Sequence, residues 1–173
     1  MKYRIEKNPK NVSFNELLID TTFQKEEVNP AVYRIDHHLD DQWTEMDSIY
    51  RDFTTTDYLI RSRNTPPTAI VSSYLDSDAI IGAGILTCII ENDLDMKKFI
   101  KTRTAKVLYS ASIWCDYGST RFFDAKINEM GNKFELWLRE EMDKTLGEDR
   151  KKQNTADVID KQSLMFSQLV DKT

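Results

Sequence analysis

The stretch from Thr68 to Ile90 constrains the fold more than any other part of this chain. It opens on Thr68-Ala69-Ile70-Val71-Ser72-Ser73, a run rich in β-branched residues. It then passes through the acidic turn Tyr74-Leu75-Asp76-Ser77-Asp78 and enters the apolar run Ala79-Ile80-Ile81-Gly82-Ala83-Gly84-Ile85-Leu86-Thr87-Cys88-Ile89-Ile90. A strand, a polar turn and an apolar helix in that order make a β-α unit, which calls for a mostly parallel sheet covered by helices. Paired prolines at 66 and 67 exclude helix just ahead of the strand. Asp76 or Ser77 is placed to cap a helix over 78–91. A second strand-like run, 31–36, ends in the same way, in Arg34-Ile35-Asp36-His37-His38-Leu39-Asp40-Asp41.

The remaining pattern is mainly helical. Residues 1–30 read as a short strand or an irregular lead-in, with an apolar patch at Phe14, Leu17, Leu18 and Ile19. Trp43, Met46, Ile49, Tyr50 and Phe53 recur at spacings of three and four, which predicts an amphipathic helix over 42–53. Residues 61–68 read as a loop and 94–103 as a helix. The run 106–115 fits either a strand leading into Asp116 or a buried helix stopped by Gly118. A long amphipathic helix is expected over 122–146, closed by Gly147, and a last one over 155–170. The chain therefore reads as one α/β domain spanning 1–173, a mostly parallel sheet flanked by helices, with 121–173 as a helical extension packed on it. Trp43, Trp114 and Trp137 are assigned to its core.

Composition narrows the setting. The chain has 173 residues, 40% hydrophobic and 31% charged, which fits one soluble domain with a sizeable core. No apolar run approaches the roughly 20 residues that cross a bilayer, and Met1-Lys2-Tyr3-Arg4-Ile5 lacks the apolar centre of a signal peptide. A cytoplasmic location and no membrane partner are the expectation. Cys88 and Cys115, without zinc-ribbon or Cys-x-x-Cys spacing, are expected to be free thiols. The net charge of −5 argues against a duplex nucleic acid partner.

Charge is unevenly spread. Seven acids and one base fall within 36–57, whereas five bases and no acid fall within 97–106. An acidic pocket beside a basic rim suits a metal-dependent enzyme acting on phosphates; two solvated faces of opposite sign explain the same pattern equally well. The only two histidines are adjacent, His37 and His38. Carboxylates suit hard cations such as Mg²⁺ and Mn²⁺, and imidazole shifts the preference toward Mn²⁺, Fe²⁺ or Zn²⁺. Neighbouring side chains on a strand point to opposite faces, so both histidines can address one ion only if the strand has already ended. At the C-terminal edge of a parallel sheet Asp36, His37 or His38, Asp76, Asp78 and Asp116 are able to converge, enough for one ion or two. Arg61, Arg63, Arg103 and Arg121 are candidates to hold a substrate phosphate.

Asp36-His37-His38 resembles the name-giving motif of the DHH phosphoesterase superfamily, and Tyr74-Leu75-Asp76-Ser77-Asp78-Ala79 resembles its second metal-binding element. The order of the two elements is reversed, and Tyr74 stands where that family has its first histidine. The resemblance covers residues 31–90. It implies one or two Mn²⁺ (or Mg²⁺) ions and hydrolysis of a phosphodiester or phosphoanhydride. It further implies Asp76 and Asp78 as metal ligands, Asp36 and His37 at the metal centre, and His38 on metal or the scissile phosphate, so that Asp36, His37 and His38 are the catalytic candidates. Asp116 would be a separate ligand. The expected substrate is a small nucleotide or a single-stranded end. Two other readings stay open: Asp76 and Asp78 as helix caps alone, and a degenerate DHH-like module that binds a protein partner or sequesters a phosphorylated ligand. Oligomeric state has no signature in the sequence.

Overall fold

The computed structural model describes residues 2–40, 42–55, 66–118 and 123–146. Four short strands, β1 (Lys2–Ile5), β2 (Leu17–Ile19), β3 (Tyr33–Ile35) and β4 (Ala69–Ser72), form one sheet in the order β1-β4-β2-β3, and every pairing is parallel. The helices are α1 (His37–Asp40), α2 (Glu45–Thr55), α3 (Ser77–Asn92), α4 (Met96–Phe99), α5 (Arg103–Tyr117) and α6 (Ala125–Leu146). The chain is thus an α/β domain whose C-terminal described part is helical.

Strand alternation divides the sheet into two unequal faces. Leu17, Ile19, Ile35 and Ile70 point to the helical side, where they pack with Met46 and Ile49 of α2, Ile80, Ile81, Ile85 and Leu86 of α3, Leu108 of α5 and Leu138 and Met142 of α6. Leu18 and Val71 point the other way, into a smaller cluster of Val12, Phe23, Val28 and Val32. That second cluster draws on connecting segments, which explains why 1–30 looked irregular. Its apolar residues are scattered, and the strands it contains are only three and four residues long. Where a short strand or an irregular lead-in is expected, residues 1–30 hold two strands of the sheet, β1 and β2.

Two other expectations are refined. Residues 106–115 lie inside α5, which is capped by the Thr102 side chain and ends at Gly118 in the left-handed region (φ 68°). The 94–103 segment holds only the single turn α4, capped by Asp95. The residues 61–65, 121–122 and 147–173, which include the last expected helix, lie outside the described residues. Among the described residues, no helix is long and apolar enough to cross a membrane.

Candidate metal centre

Three strand ends supply the site. β2 ends at Ile19 and β3 at Ile35, and these residues are register partners, so Asp20 and Asp36 leave the sheet side by side. β4 lies on the other side of β2 and leads through Tyr74 and the N-cap Asp76 into the first turn of α3, which carries Asp78. The direction of strand addition reverses between β2 and β4. Ligands of open α/β sheets bind at such a switch point, beyond the C-terminal strand ends.

The adjacent histidines share the site because the strand has ended before them. His37 opens the one-turn helix α1, where successive side chains turn by about 100° rather than 180°. Their rings lie 4.1 Å apart, centroid to centroid. His37 Nε2 is 3.1 Å from Asp20 Oδ1, 3.3 Å from Asp78 Oδ2 and 3.6 Å from Asp116 Oδ2. A single ring N–H serves one acceptor well, so three carboxylates converge on a point that one imidazole cannot neutralise. His38 Nδ1 is 2.8 Å from Asp36 Oδ1, and that bond and charge raise its pKa.

Asp36 is the best satisfied acid of the group. Its Oδ2 accepts from Arg34 Nη2 at 2.8 Å and from the Thr21 N–H at 3.2 Å, and its Oδ1 accepts from the His38 backbone at 3.1 Å. Burial alone would raise its pKa, but the bonds to His38 and Arg34 outweigh it and hold the carboxyl below the usual range. Asp76 caps α3, its Oδ1 accepting from Ala79 N–H at 2.8 Å. The capping role foreseen for it is therefore real, yet it does not exhaust the residue: Asp76 also lies within hydrogen-bonding reach of Asp20, as Asp116 does of Asp78. Carboxyl groups approach one another in this way only with a proton or a cation between them.

Two residues absent from the sequence reading hold the centre together. Asp20 is buried, sits at φ 37° in the left-handed region that aspartate tolerates better than most residues, and accepts from the Tyr74 hydroxyl at 2.9 Å. Glu45, fully buried at the start of α2, accepts through Oε1 from the backbone N–H groups of His37 (2.9 Å) and Asp20 (3.2 Å), while its own N–H donates to Asp78 Oδ2 (3.3 Å). One residue, through its side chain and its own N–H, thereby ties the ends of β2 and β3 to α3. The sequence did carry a signal for Asp20: Leu17-Leu18-Ile19-Asp20 repeats the apolar-run-then-acid pattern of Arg34-Ile35-Asp36 and Tyr74-Leu75-Asp76. Nothing local marked Glu45, whose work is done through backbone groups distant in sequence.

Burial, followed by the neighbouring carboxylates, pushes the pKa values of Glu45, Asp76 and Asp78 well up, and that of Asp116 up as well. Asp20 Oδ2, Glu45 Oε2 and Asp78 Oδ1 are buried and receive no hydrogen bond. Ligand atoms fall into three overlapping groups, each within 4.8 Å: Asp20, Asp36, His37 and His38; His37, Asp78 and Asp116; Asp76, Cys115 and Asp116. Orphaned buried carboxylate oxygens beside imidazole are a donor set that fits a divalent cation of Mn²⁺ or Mg²⁺ type. Burial raises the pKa of the Cys115 thiol. Tyr74, whose phenol is also pushed up by burial, donates its hydroxyl to Asp20.

All of the expected acids and both histidines are therefore brought together: Asp36, His37, His38, Asp76, Asp78 and Asp116. Arg103 is not. Arg103 begins α5 while Asp116 nears its end, a separation of about 20 Å along the helix. Its guanidinium instead contacts Met130 Sδ at 3.3 Å. Arg61, Arg63 and Arg121 lie outside the described residues. The guanidinium that does reach the centre is Arg34. Above it opens a cleft of about 610 Å³ lined by His37, His38, Gln42, Trp43, Asp116 and Tyr117.

Comparison with protein-family models, curated proteins and solved structures finds no match.

Proposed function

We propose that the protein is a metal-dependent phosphoesterase, similar to the DHH enzymes, that hydrolyses a phosphodiester or phosphoanhydride of a small nucleotide or single-stranded end. The observation that carries this reading is the set of overlapping ligand groups with buried carboxylate oxygens, Asp20 Oδ2 and Asp78 Oδ1, that receive no hydrogen bond. Asp20, His37, Asp78 and Asp116 would hold one or two Mn²⁺ or Mg²⁺ ions, with Asp76 beside them. The cation supplies Lewis acidity toward water and toward a phosphoryl oxygen.

The chain's own groups do the rest. Tyr74 and Glu45 fix Asp20 and His37 in place before any ligand arrives. Arg34 holds Asp36, and Asp36 fixes the ring of His38 through Nδ1. That leaves Nε2 of His38, at the wall of the cleft, to exchange a proton with the leaving group. Water reaches the site through the cleft, while the floor is buried. Cys88 and Cys115 are free thiols, as suits a cytoplasmic setting.

A second reading, a binding module without turnover, draws on Tyr74 where the DHH family has a histidine ligand. The test separates the two. Metal-stripped protein is melted with and without Mn²⁺, beside an Asp76→Ala/Asp78→Ala variant, and the Mn²⁺-loaded protein is assayed on cyclic dinucleotides, oligonucleotides and pyrophosphate. The phosphoesterase predicts a Mn²⁺-dependent rise in Tm and hydrolysis, both lost in the variant. A rise without hydrolysis favours the binding module, and no rise removes the basis of both metal-centred readings.

A further inference from the structure

The cleft has an aromatic wall that hydrolysis of a bare phosphate does not need. Trp43 is 47% exposed and Tyr117 50% exposed, among the most exposed large apolar side chains of the described residues. Both line the same cleft as His37, His38 and Asp116. Trp43 was expected in the core; it instead stands outside, just ahead of α2. The two rings lie 5.1 Å apart with planes tilted by 58°. The Tyr117 hydroxyl donates to the Trp43 backbone carbonyl at 3.2 Å, which joins the pair at the end of α5, where Gly118 caps the helix. Leaving two such rings half in water forfeits burial that the core would otherwise gain. A pair held rigidly at the mouth of a charged cleft is instead what a flat heteroaromatic ligand requires, because every base presents a π-face and stacking is indifferent to base identity.

We propose that Trp43 and Tyr117 form a nucleobase platform, so that the ligand of this cleft is a nucleotide rather than pyrophosphate or a sugar phosphate. The inference rests on the phosphoesterase reading for the position of the phosphate, over the His37–Asp116 floor, and on the aromatic pair for the base. Asp116 and Tyr117 are consecutive in sequence, so base and phosphate subsites meet within one residue step of α5.

The test compares adenosine 5′-monophosphate with ribose 5-phosphate by titration calorimetry on Mn²⁺-loaded protein. The two probes share the sugar phosphate and differ in the base. Stacking predicts that the nucleotide binds roughly 5- to 150-fold more tightly. Trp43→Ala should bring the nucleotide close to the ribose 5-phosphate value, Trp43→Phe should keep most of the preference, and ribose 5-phosphate should bind alike to all three. Should Trp43→Ala fail to fold, Tyr117→Ala is read in the same way. Equal affinities in the wild type, no binding of either probe, or a preference that survives Trp43→Ala would each overturn the platform. The melting response to Mn²⁺ is measured on the same samples. A Trp43-dependent preference in protein that shows no Mn²⁺ response would keep the platform and sink the phosphoesterase reading.

Discussion

Replacing Asp78 with Asn isolates the electrostatic conflict in the centre. The Asp78 side chain is fully buried, and one ligand oxygen of Asp116 lies within 4.8 Å of it. Two full negative charges at that separation repel by about 3.5 kcal/mol at an effective dielectric near 20. That value is a ceiling, because the pair relieves itself by keeping a proton: burial first, then Asp20 and Asp116, push the Asp78 carboxyl well above its usual range. A folded pKa above the unfolded one means that the native state keeps a proton that the unfolded chain releases once the pH passes about 4. Stability of the metal-free protein therefore falls as pH rises, by up to about 1.4 kcal/mol per pH unit for each retained proton, until the folded group ionises. Asparagine has the same shape, still accepts from the Glu45 N–H and carries no charge. Metal-free Asp78→Asn should accordingly melt above the wild type at pH 8, by no more than about 7–14 °C for a domain of this size, and the gap should close toward pH 5. Mn²⁺ at a hundred times its Kd should raise the wild type by about 2.7 kcal/mol, or roughly 5–11 °C, and the variant by much less. Scanning calorimetry from pH 5 to 8, with and without Mn²⁺, measures both. A variant that melts below the wild type throughout and keeps the full Mn²⁺ response would refute this account of the site.

Two further substitutions probe the scaffold. Arg34→Met removes the guanidinium 2.8 Å from Asp36, whose side chain is wholly buried, so a loss of about 3–5 kcal/mol is expected in urea unfolding; a loss below about 1 kcal/mol would mean that Asp36 finds another partner. Gly82→Ala places a Cβ 3.1 Å from Glu45 Cβ, which should cost about 1–3 kcal/mol and weaken Mn²⁺ binding by shifting the residue that holds Asp20 and His37. If it instead melts higher, by the roughly 1 kcal/mol that alanine gains over glycine in a helix, α2 and α3 are less tightly packed than described.

Sequence pattern located the β4–α3 unit closely, because long β-branched and apolar runs flank a single capping acid. It also found the acids of β3 and α3, since each interrupts an apolar stretch. It missed Asp20 because β2 is three residues long and offers too little alternation to stand out. It left α5 ambiguous because buried Ser110 and Ser112 blur the helical period on its inward face. It placed Arg103 at the phosphate on charge alone, and charge carries no information about which end of a helix a side chain occupies. Trp43 was misassigned for a related reason: a helical spacing of apolar residues predicts a buried stripe only within the helix, and α2 begins two residues later, at Glu45.

The order in which the sheet must close has a consequence for biosynthesis. β1 pairs with β4, so Lys2 finds its partner Ala69 only after β2, β3 and α2 have been made. The ligand groups are more scattered still, from Asp20 through His37 and Asp78 to Asp116. Contacts of such wide sequence separation are slow to form, and until they form the acids are solvated and far apart. A nascent chain therefore completes the group of His37, Asp78 and Asp116 only after α5 has left the ribosome and docked. Completion of that group then marks the docking of α5, and the crowding of its acids, which would oppose an early, partial collapse of the sheet, is deferred to that step.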